Sequence, residues 1–383
     1  MKRVGNLFNA IVSFGNLWHA AHKAWRGKKD KARIADFYFN LERELLILQK
    51  ELISGQYHPR SYHVFEVTDP KRREIAAADF RDRVVHHAII NVLEPLFERR
   101  LIFDTYACRV GKGTHAAIQR AQLFARQWPF FLKCDIRKYF KNVDHAILKT
   151  ILACIIKDQQ TLELLTCVIA HPVPGHPSGK GIPIGNLTSQ HFANLYLGEM
   201  DHFVKERLRV TGYLRYMDDF LFFAPTRSFL HEIHFEIRQF LHDRLSLLLK
   251  ERATILAPVN DGIPFLGFRI YPSAIRLPQN ELMAQFLSVS LENYKLGKMT
   301  YDLRRLRLHG LIEKIPRSHG YKVTEKGLRI SLFFTKVNAR ILRPGLSELN
   351  DGLPENASRP LATAMFRMGK AINDQIQKAK LAA

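Results

Sequence analysis

The hydrophobic positions change period several times along the chain, and the changes divide it into elements. Residues 7–25 and 35–54 follow a helical period. In the second stretch Phe37, Phe39, Leu41, Leu45, Leu46, Leu48 and Leu52 mostly share one face among charged positions, and Ser54-Gly55 ends it. From Tyr62 to Val67 apolar and polar residues alternate as in a strand. Asp69-Pro70-Lys71-Arg72-Arg73 then supplies a basic turn before the apolar run Ile75–Ala78. Helical spacing returns over Val84–Phe97, and Phe130–Cys134 is a short apolar run that stops at Asp135, the pattern of a buried strand with an acid at its end. Helical stretches around 144–171 lead into the Pro- and Gly-rich loop Pro172–Gly185 and a long helix over Leu187–Arg209. Tyr213–Ala224 predicts strand, two-residue acidic turn, strand; Phe229–Leu249 a helix; Pro264–Tyr271 a strand pair; and the chain after about 279 a basic, mostly helical region. Strands mixed with segregated helices argue an α+β fold.

Composition narrows the class. With 46% hydrophobic residues, 26 Phe and 12 Tyr among them, the chain can bury a large core over two or three subdomains, which excludes disorder. Gly (21) and Pro (17) are at ordinary usage, which excludes collagen-like and low-complexity classes. Cys108, Cys134, Cys154 and Cys167 are too widely spaced for a zinc ribbon or a redox pair and too few for a disulfide scaffold, so a reducing cytoplasm is expected. Asn6, Asn9, Asn16, His19 and His22 interrupt any export signal or membrane span near the N-terminus, and no membrane association is expected. The net charge of +22 is unevenly placed: +7 over residues 1–34, +5 over 35–275 and +10 over 276–383. A balanced centre between two basic ends suits a catalytic body held between surfaces that grip a polyanion.

The sharpest chemical feature is Tyr216-Met217-Asp218-Asp219, at the tip of the hairpin between Gly212-Tyr213-Leu214-Arg215 and Phe220-Leu221-Phe222-Phe223. An isolated Asp-Asp is most often the acidic cap of a surface turn. Asp135, ending its own apolar strand, changes that balance. Strands that bring Asp135 beside Asp218 concentrate negative charge that divalent metal would offset. Such a site suits two Mg²⁺ ions about 3.5–4 Å apart, one lowering the pKa of an attacking 3′-hydroxyl and the other holding pyrophosphate. The reaction class is phosphoryl transfer to a nucleic-acid end.

Over roughly residues 35–275 the order of motifs resembles a bacterial reverse transcriptase. Arg72-Arg73-Glu74-Ile75 through Asp79-Phe80-Arg81-Asp82-Arg83-Val84-Val85 resembles the first fingers motif, and Tyr106-Ala107-Cys108-Arg109-Val110-Gly111-Lys112-Gly113-Thr114-His115 the second. Asp135 to Phe140 is similar to the first palm motif, Gly181 to Gln190 to the nucleotide-facing loop and helix, Tyr216 to Asp219 to the metal motif, and Phe265-Leu266-Gly267-Phe268 to the primer grip. The resemblance implies a right-hand polymerase fold: a basic N-terminal helical extension (1–34), fingers (35–130), a palm built on an antiparallel sheet with packed helices (131–275, with a fingers-like helical insertion around 144–190), and a basic helical thumb and tail (276–383).

It also implies roles. Asp135 and Asp218 would bridge the metals with Asp219 accessory, and Arg73 and Arg83 would hold the triphosphate, for which the guanidinium fork is suited. Tyr139 would stack under the sugar, Ile184, Gly185 and Gln190 would face the nucleotide, and Arg109 and Lys112 would touch the template. Gly267 would form the grip turn, while Arg304, Arg305 and Arg307 would track the duplex. Where most relatives carry Gln-Gly and Ser-Pro, this chain has Ile184-Gly185 and Ser189-Gln190, similar to the reverse transcriptases of diversity-generating retroelements. Those enzymes copy a template-repeat RNA with errors at adenines, alongside a small basic multimeric accessory protein. The substrates implied are dNTPs, template RNA and its RNA/cDNA duplex. A retron-like or intron-maturase-like enzyme without adenine mutagenesis is the alternative. Ala253 stands where relatives place a Lys, and both Lys250 and Arg252 remain open as a general acid.

Overall fold

Residues 8–53 build four helices where the hydrophobic period predicts two. In the computed structural model, which describes residues 3–26, 32–68, 72–276, 303–316 and 321–330, Ser13 separates α1 (Phe8–Val12) from α2 (Phe14–Trp25), and Asn40 separates α3 (Ala32–Phe39) from α4 (Leu41–Ile53). Ser13 is extended and its hydroxyl accepts from the Asn16 amide, so it starts a new helix instead of continuing the old one. The start of the chain is tied to the body: the Asp158 carboxylate accepts from the amides of Leu7 (2.8 Å) and Phe8 (2.7 Å).

Next come the antiparallel hairpin β1 (His63–Thr68) and β2 (Arg72–Ala77), then α5 (Phe80–Glu98), begun by the Asp79 side chain, and α6 (Thr114–Gln127). β3 (Phe130–Asp135) is followed by α7 (Tyr139–Asn142), α8 (His145–Ala153), α9 (Gln159–Ala170) and α10 (Leu187–His202). The helix predicted to Arg209 widens to a π turn over Phe203–Arg207. The strands β4 (Gly212–Tyr216) and β5 (Asp219–Ala224) precede α11 (Arg227–Leu245), which ends four residues short of the predicted Leu249 because Ser246 takes up the left-handed region. β6 (Ile255–Pro258), β7 (Ile263–Phe265), β8 (Phe268–Ile270) and β9 (Ile275–Arg276) follow.

The central sheet has the order β4-β5-β3-β6, antiparallel throughout. Strand alternation sends Leu132, Cys134, Phe220, Phe222 and Tyr213 into one core with α10 and α11, and Phe131, Leu214, Leu221 and Phe223 into a second core. That second core is shared with Ile118, Ala121 and Phe124 of α6 and with Ile263, Phe265 and Ile270 of the β7–β8 hairpin. A sheet covered on both faces explains why its strands read as unbroken apolar runs. α10 is buried almost all round, so it carries apolar residues without a polar stripe. The architecture is α+β, with the acids at one end of the sheet.

The chain divides into two compact units, Met1–Ile275 and Arg276–Ala383. The described part of the second contains a helix over 303–308, the antiparallel hairpin β10 (Ile312–Lys314) and β11 (Tyr321–Val323), and a helix over 325–330. The sequence pattern predicts helix here and misses the hairpin, because its two strands are only three residues each and too short to show a period. Among the described residues no helix is long and apolar enough to cross a membrane.

Candidate active site

The β4–β5 turn is centred one residue earlier than the acidic pair predicts. Met217 and Asp218 form it, with Met217 at φ 56°, and Asp219 is the first residue of β5, paired with Tyr216. Asp219 is thereby brought directly opposite Asp135 on β3. Cross-strand partners project from the same face, and like charges so placed repel. Asp218, held in the turn, joins them: burial raises its pKa first, and the Asp135 charge raises it further. Asp219 is pushed up to about 7, chiefly by burial, with Asp135 and Asp218 adding to the rise and Lys133 opposing it. The in-register partner of Asp135 is thus Asp219, where the expectation paired it with Asp218, and Asp218 lies in the adjoining turn.

Two cations stand against this cluster. Lys133 shares the face of Asp135 two residues along β3; its Nζ lies 3.2 Å from Asp219 Oδ2 and donates to the Pro264 carbonyl at 2.9 Å, which ties the acids to the β7–β8 hairpin. That hairpin turns through Leu266 and Gly267, both at positive φ, with Gly267 exposed. Lys250 lies 3.5 Å from Asp135 Oδ2, and its amide donates to the Asp135 carbonyl at 2.8 Å. Of the two open general-acid candidates, Lys250 is the one beside the acids.

Beneath the hairpin lies a network that the motifs do not reveal. Arg215, fully buried, spends all five of its N–H groups. Nε and Nη2 donate to the Asp201 carboxylate at 2.8 and 2.6 Å, Nη1 and Nη2 to the Asn194 side-chain and backbone oxygens at 3.2 and 3.1 Å, and Nη1 to the Met217 carbonyl at 2.9 Å. Tyr213 and Thr105 complete the Asp201 carboxylate. A lone charge inside the apolar strand Gly212–Tyr216 is the signal that would have found it.

The nucleotide-facing block docks on the first hairpin. Gly185 has φ 111°, and a Cβ there would lie 2.9 Å from Ile75 Cγ2. Ile184 is half-buried, and Asn186 Oδ1 accepts from the Ala78 amide at 3.2 Å. Gln190 is half-buried in the first turn of α10. Arg73, exposed on β2, is close enough to Asp218 to oppose the rise in its pKa. Arg83 does not form the salt bridges available in its sequence neighbourhood. Its Nε donates to the Ala78 carbonyl at 2.8 Å, burial lowers its pKa, and the nearby Asp82 is taken by the Tyr57 hydroxyl and the Arg60 amide.

Two expected contacts are corrected. Tyr139 is buried in the core and its hydroxyl donates to the Ala193 carbonyl at 2.6 Å, so its ring is not presented to a sugar. Its neighbour Phe140 is the partly exposed aromatic. Arg109 is locked inward by Glu98 (2.9 Å) and the carbonyls of Ile102 and Thr105, which leaves no free fork for template. Lys112 sits 3.4 Å from the Phe103 ring centroid and donates to the Phe103 carbonyl. Arg304 and Arg307 are exposed and Arg305 half-buried on the 303–308 helix of the second unit.

Hard oxygen donors fit a divalent cation, and Asp219 Oδ1 is buried without a hydrogen-bond partner, as an oxygen reserved for a ligand would be. Among the described residues, however, no three His, Cys, Asp or Glu side chains are grouped closely enough to form a ready-made metal centre.

A family model described as reverse transcriptase (RNA-dependent DNA polymerase) matches residues 68–270, from the first hairpin through β8. The chain is 26% identical over 313 residues to protein YkfC of Escherichia coli, covering 70% of this chain and 82% of that protein. It is 26% identical over 330 residues to the group II intron-encoded protein LtrA of Lactococcus lactis, covering 68% of this chain and 54% of LtrA, so it spans about half the length of that relative. Among solved structures it is similar to apo telomerase from Candida tropicalis, at a TM-score of 0.46 and 10% identity over 59% of this chain and 50% of that one. With the family model covering more than half of its length and enclosing Asp135, Asp218 and Asp219, the chain belongs to the reverse transcriptase family and is an RNA-directed DNA polymerase.

Proposed function

We propose that this polymerase copies a template RNA into cDNA with low fidelity opposite adenines, as the reverse transcriptases of diversity-generating retroelements do. The observation that carries the reading is Ile184: an apolar side chain occupies the turn that Gly185 holds against Ile75, where a glutamine would offer hydrogen bonds to the sugar or minor-groove edge of the nascent pair. Without that donor, geometric control of the pair is weaker. Asp135, Asp218 and Asp219 would hold two Mg²⁺ ions, which when bound supply charge neutralisation and activate the 3′-hydroxyl. Around them Arg73 offers a guanidinium to the triphosphate, and Lys133 keeps the grip hairpin in step with Asp219. Template RNA, dNTPs and a small basic accessory protein are the partners of this reading.

The test is primer extension on an adenine-containing RNA template with sequenced products. Ile184→Gln should lower misincorporation opposite adenine more than it lowers total synthesis. An error spectrum identical in wild type and variant, or adenines copied as faithfully as other bases, favours the second reading. In that reading the chain is a group II intron-like enzyme without adenine mutagenesis, supported by the likeness to YkfC and LtrA.

A further inference from the structure

The helix α4 is apolar on two faces. Leu41, Leu45, Leu48 and Leu52 recur at three- and four-residue spacing and are buried, the stripe that seats the helix in the core. Away from them Leu46, Ile47 and Ile53 are 50%, 41% and 57% exposed, and Phe39, the last residue of α3, is 90% exposed. The hydrophobic period groups Phe39 and Leu46 with the inward residues, and the structure turns both outward. A helix that lies on a single core needs a polar outer face, so a second apolar stripe marks a contact surface.

The stripe is symmetric about its centre. Glu42 and Lys50, both exposed, lie four residues either side of Leu46, and Phe39 and Ile53 lie seven residues either side. Neither Glu42 nor Lys50 has an ion-pair partner among the described residues, and every residue three or four positions from either is uncharged, so the helix itself supplies none. Laid antiparallel on a second copy about a two-fold axis through Leu46, the helix sets Leu46 on Leu46, Glu42 level with Lys50 and Phe39 level with Ile53. A parallel pair would set Glu42 against Glu42 and Lys50 against Lys50, so the charges select the antiparallel arrangement.

We propose that the outer face of α4, together with Phe39, is an interface that takes the same face of a second copy of this chain, packed antiparallel about Leu46. The apolar positions supply the contact, and the two symmetry-related pairs of Glu42 with Lys50 fix direction and register. From Phe39 to Ile53 the stripe is about 21 Å long at 1.5 Å per residue, and helices packed this way lie about 8–10 Å apart. A contact of that size is smaller than a permanent dimer needs, so association should depend on concentration. The inference is independent of the adenine reading.

The experiment is sedimentation velocity of the nuclease-treated full chain over about 1–100 μM, where the wild type should pass from monomer to dimer. Leu46→Glu sets two carboxylates face to face on the axis and should stay monomeric. Its thermal transition, compared with wild type at a concentration where both are monomers, should be unaltered. Glu42→Lys and Lys50→Glu should each weaken self-association about tenfold or more, because the symmetry spoils two pairs at once. An equimolar mixture of these two variants should recover wild-type association, since each chain then meets opposite charge at both positions. If Leu46→Glu lowers the thermal transition of the monomer, the mixture carries the test. A wild type that stays monomeric throughout would overturn the proposal, as would a dimer that persists in Leu46→Glu or a mixture that associates no better than either variant alone.

Discussion

Arg215 should matter twice, once for the fold and once for the chemistry, and the two effects separate experimentally. Replacing it with Met leaves Asp201 as an uncompensated buried charge, a change that costs about 3–5 kcal/mol of folding free energy. Replacing it with Lys keeps the charge but supplies three donors where five bonds are now made, which removes at least two charge-assisted bonds at about 1.5–3 kcal/mol each. The chemical effect runs through the Met217 carbonyl, which receives 2.9 Å hydrogen bonding from Arg215 at the strained turn beside Asp218. Loss of that charge-assisted bond, worth about 1.5–3 kcal/mol, corresponds to about 10–160-fold in turnover if the turn relaxes before the transition state is reached. Arg215 also lowers the Asp218 pKa, so its removal should move the acidic limb of the rate profile to higher pH in the Met variant, with the Lys variant closer to wild type. Urea unfolding gives the first quantity, and single-turnover dNTP incorporation against pH, corrected for folded fraction, gives the second. If Arg215→Met lost stability as calculated yet kept wild-type turnover per folded molecule and an unmoved acid limb, the turn would hold its shape without Arg215 and the positioning argument would be wrong.

Two further outcomes are expected. Asp219 titrates near 7 when folded against an ordinary value of 3.8, so between these pH values the folded chain keeps a proton that the unfolded chain releases. With divalent cations chelated, stability should be fully present below about pH 4 and fall by at most roughly 4 kcal/mol as pH rises through 7, a slope that Asp219→Asn removes; urea midpoints across pH measure it. Gly185→Ala places a Cβ 2.9 Å from Ile75 Cγ2 at a φ of 111°, a strain of about 1–3 kcal/mol in the nucleotide-facing turn, and steady-state kinetics should register it as a raised KM for dNTP. An unaltered KM would detach this turn from nucleotide binding.

What could be read from the sequence follows the physics of each element. Phe130–Asp135 and Tyr213–Ala224 were legible because a sheet covered on both faces demands uninterrupted apolar strands, and the acids stood out where those runs stop. Ser13 and Asn40 were not, because a helix break that preserves the hydrophobic face leaves the period intact. Tyr139 and Arg109 were misassigned for a common reason: a motif position names a residue but not the direction of its side chain. The Ala193 carbonyl and the Glu98 carboxylate that turn these two inward are 54 and 11 residues away. Lys133 could have been found, since alternation along β3 puts it on the face of Asp135.

The acids place like charges against one another, and their neighbours explain how the arrangement persists. Asp135 and Asp219 sit opposite one another in register, and burial alone would drive Asp219 to hold a proton. Lys133 opposes that tendency at Asp219 and Arg215 opposes the corresponding rise at Asp218, while Lys250 stands beside Asp135 from a third element. The two lysines stand at side-chain distances above 3 Å, close enough to lower the electrostatic cost and loose enough for a divalent cation to compete for the same oxygens. Arg215, by contrast, is saturated and has no exposed surface, so it fixes geometry and does not compete. This division of labour accounts for the chemistry of the three cations: lysines, single mobile charges, where a ligand must displace them, and an arginine fork where the backbone must not move. It also explains why the site departs from ordinary sheet rules only at its edge, since the apolar ladder from Phe130 to Cys134 and from Phe220 to Ala224 carries the strands up to the acids and holds them there.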